Sequence, residues 1–204
     1  MPKGTTKRRP RTRAALLDAA LAVFAEHGFQ AATIEQVCAA AGFTRGAFYS
    51  NFSSKEELFL ALFDQHSKHI LERLDAALGA VPAGELTLPR LVELISVVEP
   101  AERDWYLVTT EFTLHAIRDP QAAWVLARHD ASLREALAQG LTACLARAGL
   151  ALTVPAEEVA RLLIALREGG LAQSYVEPEE LPPGALERRF LAPLLAAVTE
   201  ERAH

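Results

Sequence analysis

Apolar residues recur along this chain at intervals of three and four almost from end to end, the period of helices that each bury one face. Leu16, Ala20, Val23 and Phe24 form the first such stripe, with Thr12 as a capping hydroxyl before it and Gly28 as its stop. The next segment is short, and its ends are set by side-chain chemistry. Thr33 and Gln36 have the spacing of a capping box, in which each side chain satisfies an orphan backbone N–H of the other residue. Ile34, Val37, Cys38 and Ala41 follow at helical spacing, and Gly42 supplies a left-handed stop. Thr44 then caps a second short helix, with Phe43 placed to staple onto Phe48. Two short helices joined by a sharp turn over Thr33 to Phe52 make a helix-turn-helix. Its Ile34, Val37, Phe48 and Phe52 can share a core with the first stripe, so the three helices form a compact head.

The rest of the chain reads as longer helices. Ser53 and Ser54 each find a Glu three residues on, which predicts a capped fourth helix running to Gly79. Ala80 to Thr87 is a loop rich in Gly, Pro and small residues. Helices are then expected over Pro89 to Val98, Ala101 to Arg118, Gln121 to Ala148, Ala156 to Val176 and from Ala185 onward, punctuated by Pro100, Asp119-Pro120, Gly149 and Pro155. Gly169-Gly170 inside a helix costs roughly 1 kcal/mol per residue relative to Ala, which calls for a close neighbour or room for a ligand. Pro193 predicts a kink in the last helix. With no strand pattern and no internal repeat, the expected fold is all-α with about nine helices.

Composition narrows the function. Half of the 204 residues are apolar, which excludes a disordered chain. Cys38 and Cys144 stand far apart without a second metal-binding pair, so neither a disulfide framework nor a zinc site is expected. His66 and His69 lie three apart on one predicted helix but lack a third ligand at matching spacing, and no metal or other cofactor is assigned. The longest apolar run, Phe190 to Val198, cannot span a bilayer; a soluble, cytoplasmic protein is expected. Nucleophile elbows, metalloprotease helices, phosphate loops and dinucleotide fingerprints are missing, so the chain is not read as an enzyme. Charge is the most informative quantity because its signs are segregated. Up to Lys55 eight bases face three acids, a net +5; the remaining 13 bases and 23 acids give −10. Only the N-terminal quarter has the electrostatics of a polyanion binder. Met1 to Arg11 holds most of the basic cluster without apolar periodicity. Taken alone that is a solvated terminus; beside a helix-turn-helix, Arg8, Arg9 and Arg11 read as an arm that follows phosphates or enters a minor groove.

The run TIEQVCAAAGFTRGAFYSNFSSKEELF resembles the DNA-binding signature of the tetracycline-repressor (TetR) family. The Ala-Gly before the turn, the pair Phe48-Tyr49, Phe52 and Lys55 all fall at that family's spacing, and a small helical head followed by longer helices in about 200 residues is similar to its layout. Asn51 stands where a His is frequent, and Cys38 where a small apolar residue is usual. The resemblance implies a DNA-binding domain over residues 1–57 and a helical effector-binding and dimerisation domain over 58–204. It further implies a homodimer formed through the last two helices.

On a helix starting at Arg45, residues turn by about 100° each, which puts Arg45, Gly46, Tyr49 and Ser50 on one arc and Phe48 on the other. Arg45 has the fork that recognises guanine, Gly46 and Ala47 allow close approach, and Tyr49 reaches a phosphate or base, unless it is core. Thr33, Thr44, Asn51 and Lys55 suit phosphate contacts. The two threonines can cap and still lie near a phosphate, and Lys55 can equally be a solvated first-turn residue. For a small apolar effector the candidates are Trp105, Tyr106, Thr109, Phe112, Thr113, Trp124, Arg167 and Gln173, each of which can also be ordinary core or surface. The expected function is a ligand-responsive repressor that binds a pseudo-palindromic operator and is released by its effector. The alternative is a regulator without a small-molecule ligand, one that answers to a protein partner or activates.

Overall fold

The structure, a computed structural model, describes residues 8–82 and 84–202. Among them nine helices follow in order: α1 (Arg8–His27), α2 (Ile34–Ala41), α3 (Arg45–Tyr49), α4 (Lys55–Gly79), α5 (Leu88–Ile95), α6 (Glu102–Arg118), α7 (Pro120–Arg147), α8 (Ala156–Val176) and α9 (Ala185–Ala197). The all-α expectation holds with one addition. Leu150–Leu152 (β1) and Thr199–Glu201 (β2) pair antiparallel, with Leu150 opposite Glu201 and Leu152 opposite Thr199. Three residues are too few for an alternating pattern to show in a sequence, and their pairing links positions about fifty residues apart.

A second correction concerns the chain's start. Residues 1–7 of the predicted arm and the Arg8 side chain lie outside the described residues, but Arg8, Arg9 and Arg11 belong to α1, and Thr12 is a buried residue within it instead of its cap. Pro10 does not prevent this, because the first turn of a helix has no intrahelical acceptors for its N–H groups. The other ends lie where capping chemistry puts them. Thr33 and Gln36 form the capping box, Gly42 is left-handed at φ 71°, and Thr44 accepts from the Ala47 amide at 3.3 Å. Ser54 accepts from the Glu57 amide at 3.1 Å, while the Glu57 carboxylate reaches back to the Ser53 amide at 2.7 Å. The Ser53 hydroxyl, which donates to the same Glu57 oxygen at 2.5 Å, and then the amide hold the Glu57 carboxyl below its ordinary pKa.

Contacts group the chain into two compact units, one taking the chain up to His66 together with Ala101–His129, the other Ser67–Pro100 together with Asp130–His204. In the first, Leu16, Ala20, Val37, Phe48 and Phe59 are fully buried. Phe29, just after α1, lies within 4.9–5.7 Å of the rings of Phe24, Phe59 and Phe112, so a loop residue forms the centre of the packing. In the second, Leu91, Val92, Leu145, Val159, Leu191 and Leu195 form the core. There the α8 glycines separate in role. A Cβ on Gly170 would come within 3.4 Å of Glu187 Oε2 and 3.6 Å of Leu186, so Gly170 admits α9 closely, whereas Gly169 faces open space. Glu187 is buried and paired with Arg167 at 3.1 Å; Arg167 also donates to the Val97 carbonyl at 2.9 Å, tying α8 to α9 and to the segment after α5.

Candidate nucleic-acid interface

The helix-turn-helix sits in the first unit with its apolar side committed. Phe48 is fully buried and its ring meets those of Tyr49 and Phe52 at 5.4 and 5.8 Å. That orients α3 and leaves Arg45, Gly46, Tyr49 and Ser50 exposed on its other side. Tyr49 is 50% exposed, which answers the question of whether it is core. Its hydroxyl lies 3.5 Å from Arg45 Nη2, and the guanidinium carbon lies 5.8 Å from its ring centroid. Arg45 Nη1 also contacts Glu35 Oε1 at 2.7 Å, across the turn on α2. Tyr49 first and Glu35 second push the guanidinium pKa further up.

Gly46 is informative because the protein itself does not require it. A Cβ there would meet only Thr44 Oγ1, at 3.8 Å. Gly46→Ala is therefore expected to leave the melting temperature unchanged or raise it, since Ala is favoured in helices by up to about 1 kcal/mol. If the face approaches DNA closely, the same methyl costs roughly tenfold or more in affinity for specific DNA. Thermal melting and a binding isotherm on one variant separate the two effects.

The remaining predicted contacts divide. Thr33 and Thr44 are exposed caps whose hydroxyls already accept from the amides of Gln36 and Ala47. Arg9 donates from Nη2 to the Ser50 carbonyl at 3.1 Å, a cation at the C-terminal end of α3, where the helix dipole favours it. Arg11 is exposed. Ser50 and Asn51 turn back on α3: the Ser50 hydroxyl and Asn51 Nδ2 both donate to the Ala47 carbonyl at 2.8 Å, and Nδ2 lies 3.2 Å from Ser50 Oγ. With its amide protons used there, Asn51 has an acceptor oxygen left, which a phosphate cannot satisfy.

Lys55 departs furthest from its reading as a phosphate contact. Its Nζ donates to the carbonyls of Phe29, Gln30 and Ala32 at 2.6, 3.0 and 3.0 Å and sits 4.7 Å over the Phe29 ring. An ammonium has three protons, and three carbonyls take them. Burial pulls its pKa down, and the nearby Glu56 carboxylate offsets part of that. The same turn is held from its other side. Gly28, left-handed at φ 78°, donates to the Phe24 carbonyl, and the next amide, Phe29 N–H, is taken by Glu111 Oε2 at 2.5 Å. One acid from α6 and one base from α4 thus fix the connection into the helix-turn-helix. Neither Glu111 nor Glu35 was among the predicted site residues. Glu35 left a trace, as an acid beside the turn of a basic head; Glu111, 82 residues from Phe29, left none.

Of the effector candidates, six lie in the first unit. Phe112 is buried and stacks on Phe59 with centroids 3.8 Å apart. Trp105 is half-buried, stacked on His66 at 4.1 Å and on Phe59 at 6.4 Å. Tyr106 and Thr109 are half-buried too, and the Thr109 hydroxyl donates to main-chain carbonyls of its own helix. Thr113 is exposed, and Trp124 is 61% exposed with Arg128 4.9 Å over its ring. Arg167 and Gln173 lie in the second unit, Arg167 paired with Glu187 and Gln173 exposed. Among the described residues no helix is long and apolar enough to cross a membrane.

Comparison with known proteins gives a consistent result. The model of bacterial regulatory proteins of the tetR family matches residues 16–62, and the C-terminal model of BetI-type transcriptional repressors matches residues 86–198. The HTH-type transcriptional repressor AcnR of Corynebacterium glutamicum is 31% identical over 165 residues, covering 79% of this chain and 81% of its own. The HTH-type transcriptional regulator UidR of Escherichia coli K12 is 28% identical over 170 residues, 83% of this chain and 84% of its own. The solved structure of Salmonella enterica GusR superposes with a TM-score of 0.68 at 26% identity, covering 95% of this chain and 98% of that one.

Proposed function

The chain belongs to the tetR family of bacterial transcriptional regulators, and from that membership we propose that it is a homodimeric repressor that reads a pseudo-palindromic operator and is released by a small, mostly apolar effector. The observation that carries the reading is the exposed side of α3, where Arg45, Gly46 and Tyr49 project while Phe48 and Phe52 hold the helix in the core. Residues 1–57 are the reading head in this proposal, and residues 58–204 bind effector and form the dimer. One recognition helix reads only a few base pairs, so two copies about 34–36 Å apart, one turn of DNA, are needed for an operator of useful length. Leu162 and Val176 of α8 and Phe190 and Leu194 of α9 are large apolar side chains left 37–79% exposed, which supports pairing of these two helices with their copies in a second subunit.

For the effector, Trp105 and Tyr106 on α6 supply half-buried aromatic surface of the kind that apolar ligands contact. The ligand acts by favouring a dimer whose heads no longer match the half-site spacing, a coupling of about 1–3 kcal/mol. Repression and release take place in the cytoplasm, where the operator is. Selection of sites from a random duplex pool tests the operator reading and the dimer together. Enrichment of an inverted repeat supports it; no enriched sequence, or a single unpaired half-site, would overturn it. The double variant Phe190→Asp with Leu194→Asp is expected to elute as a folded monomer and to lose most of its operator affinity, which light scattering and a binding isotherm check.

A further inference from the structure

We infer that Glu35 is a specificity-determining residue that acts through Arg45, holding the guanidinium for a base and away from phosphates. The inference rests on the reading of α3 as the DNA-contacting helix. Its basis is the contact across the turn: Glu35 Oε1 lies 2.7 Å from Arg45 Nη1, while Nη2 of the same guanidinium lies 3.5 Å from the Tyr49 hydroxyl. Arg45 is the first residue of α3 and Glu35 the second of α2, so the pair links the two helices of the motif at the edge that faces outward.

Both side chains are more than half exposed, at 60% for Arg45 and 55% for Glu35, and an ion pair this open adds little to folding stability. What it does is select a conformer. A free arginine on a DNA-facing helix has many rotamers and, as a full positive charge, is drawn to any phosphate whatever the sequence. Glu35 and Tyr49 bias the guanidinium toward this setting, and the carboxylate offsets part of its attraction for phosphate. The directional N–H donors that recognise guanine O6 and N7 remain. Glu35 itself is an acid among the bases of the head, where it repels the DNA backbone unless it is matched by Arg45. A first-turn acid also favours its own helix, but that role is served at any first-turn position and does not require contact with α3.

The test compares wild type, Glu35→Gln, Glu35→Asp, Arg45→Ala and the double variant Glu35→Gln with Arg45→Ala. Each is titrated against a duplex enriched by the wild-type protein from a random pool and against a scrambled duplex of the same composition, at several salt concentrations. Glu35→Gln is expected to bind scrambled DNA roughly tenfold more tightly, with a salt slope steeper by up to about 0.9, and to gain less on the selected duplex, so that discrimination falls. Glu35→Asp, which keeps the charge, restores part of the discrimination. In the Arg45→Ala background the Glu35→Gln change no longer alters discrimination. Equal gains on both duplexes, or the same loss of discrimination without Arg45, would show that Glu35 acts on DNA by itself and would overturn the inference. If wild type does not discriminate between the two duplexes, the reading of α3 fails first and the inference falls with it.

Discussion

Arg45→Ala is expected to weaken binding to the operator by about 1–3 kcal/mol per half-site, roughly five- to 150-fold, and to make the base opposite it interchangeable. The melting temperature should not move, because the side chain is 60% exposed and its pairing with Glu35 is an open surface pair. Affinities measured on operators varied one base pair at a time give the decisive pattern. A base reader loses affinity for one base and becomes indifferent there, whereas a phosphate contact loses the same amount on every variant. A uniform loss would move Arg45 to the second class and leave Tyr49 as the remaining candidate reader on α3.

The second large effect is on folding. Gly28→Ala is expected to cost about 2–4 kcal/mol, against about 1–2 kcal/mol for Gly42→Ala. Both glycines are left-handed, at φ 78° and 71°, so each substitution carries the strain of a Cβ in that region. They differ in what the new methyl meets. At Gly42 nothing lies within 4 Å, whereas at Gly28 both Glu111 carboxylate oxygens would be 2.9 Å away. The carboxylate can swing aside, but the Phe29 amide then loses its acceptor beside a buried ring, and an unsatisfied buried N–H costs about 1–3 kcal/mol. Denaturant unfolding of Gly28→Ala, Glu111→Ala and the double variant checks the mechanism. The double should be less destabilised than the sum of the singles, because both changes remove one hydrogen bond. Additive losses would mean that the strain at Gly28 is independent of Glu111.

These examples mark where the chain could be read from its residues and where it could not. Apart from the Thr12 cap, signals that span three or four residues hold: the Thr33–Gln36 box, the Gly42 stop, the Thr44 cap and the inward side of α3 are local, and each lies where its chemistry puts it. Lys55 lies in the first turn of α4, as its spacing predicts, and its ammonium is held by carbonyls of the chain itself. The same ammonium serves a phosphate or three carbonyls equally well, and the carbonyls come from a turn 23 to 26 residues earlier. Phe29 follows the Gly28 stop with no local signal of burial, and only the meeting of α1, α4 and α6 around it shows that it is central to the packing. α1 starts five residues before the position that a Thr12 cap predicts, since Pro10 and a run of bases suggest an extended arm unless the tolerance of a first helical turn is weighed against them.

The turn at residues 28–32 also bears on how such regulators can be recombined. A chimera that transplants only the continuous reading segment, residues 8–52, onto another body leaves behind the side chains that Phe29, Gln30 and Ala32 bond to. The smallest exchangeable piece is discontinuous in sequence. It carries Lys55 with the start of α4 and Glu111 with α6, so a working graft must be cut to three-dimensional contacts and not to the order of the gene.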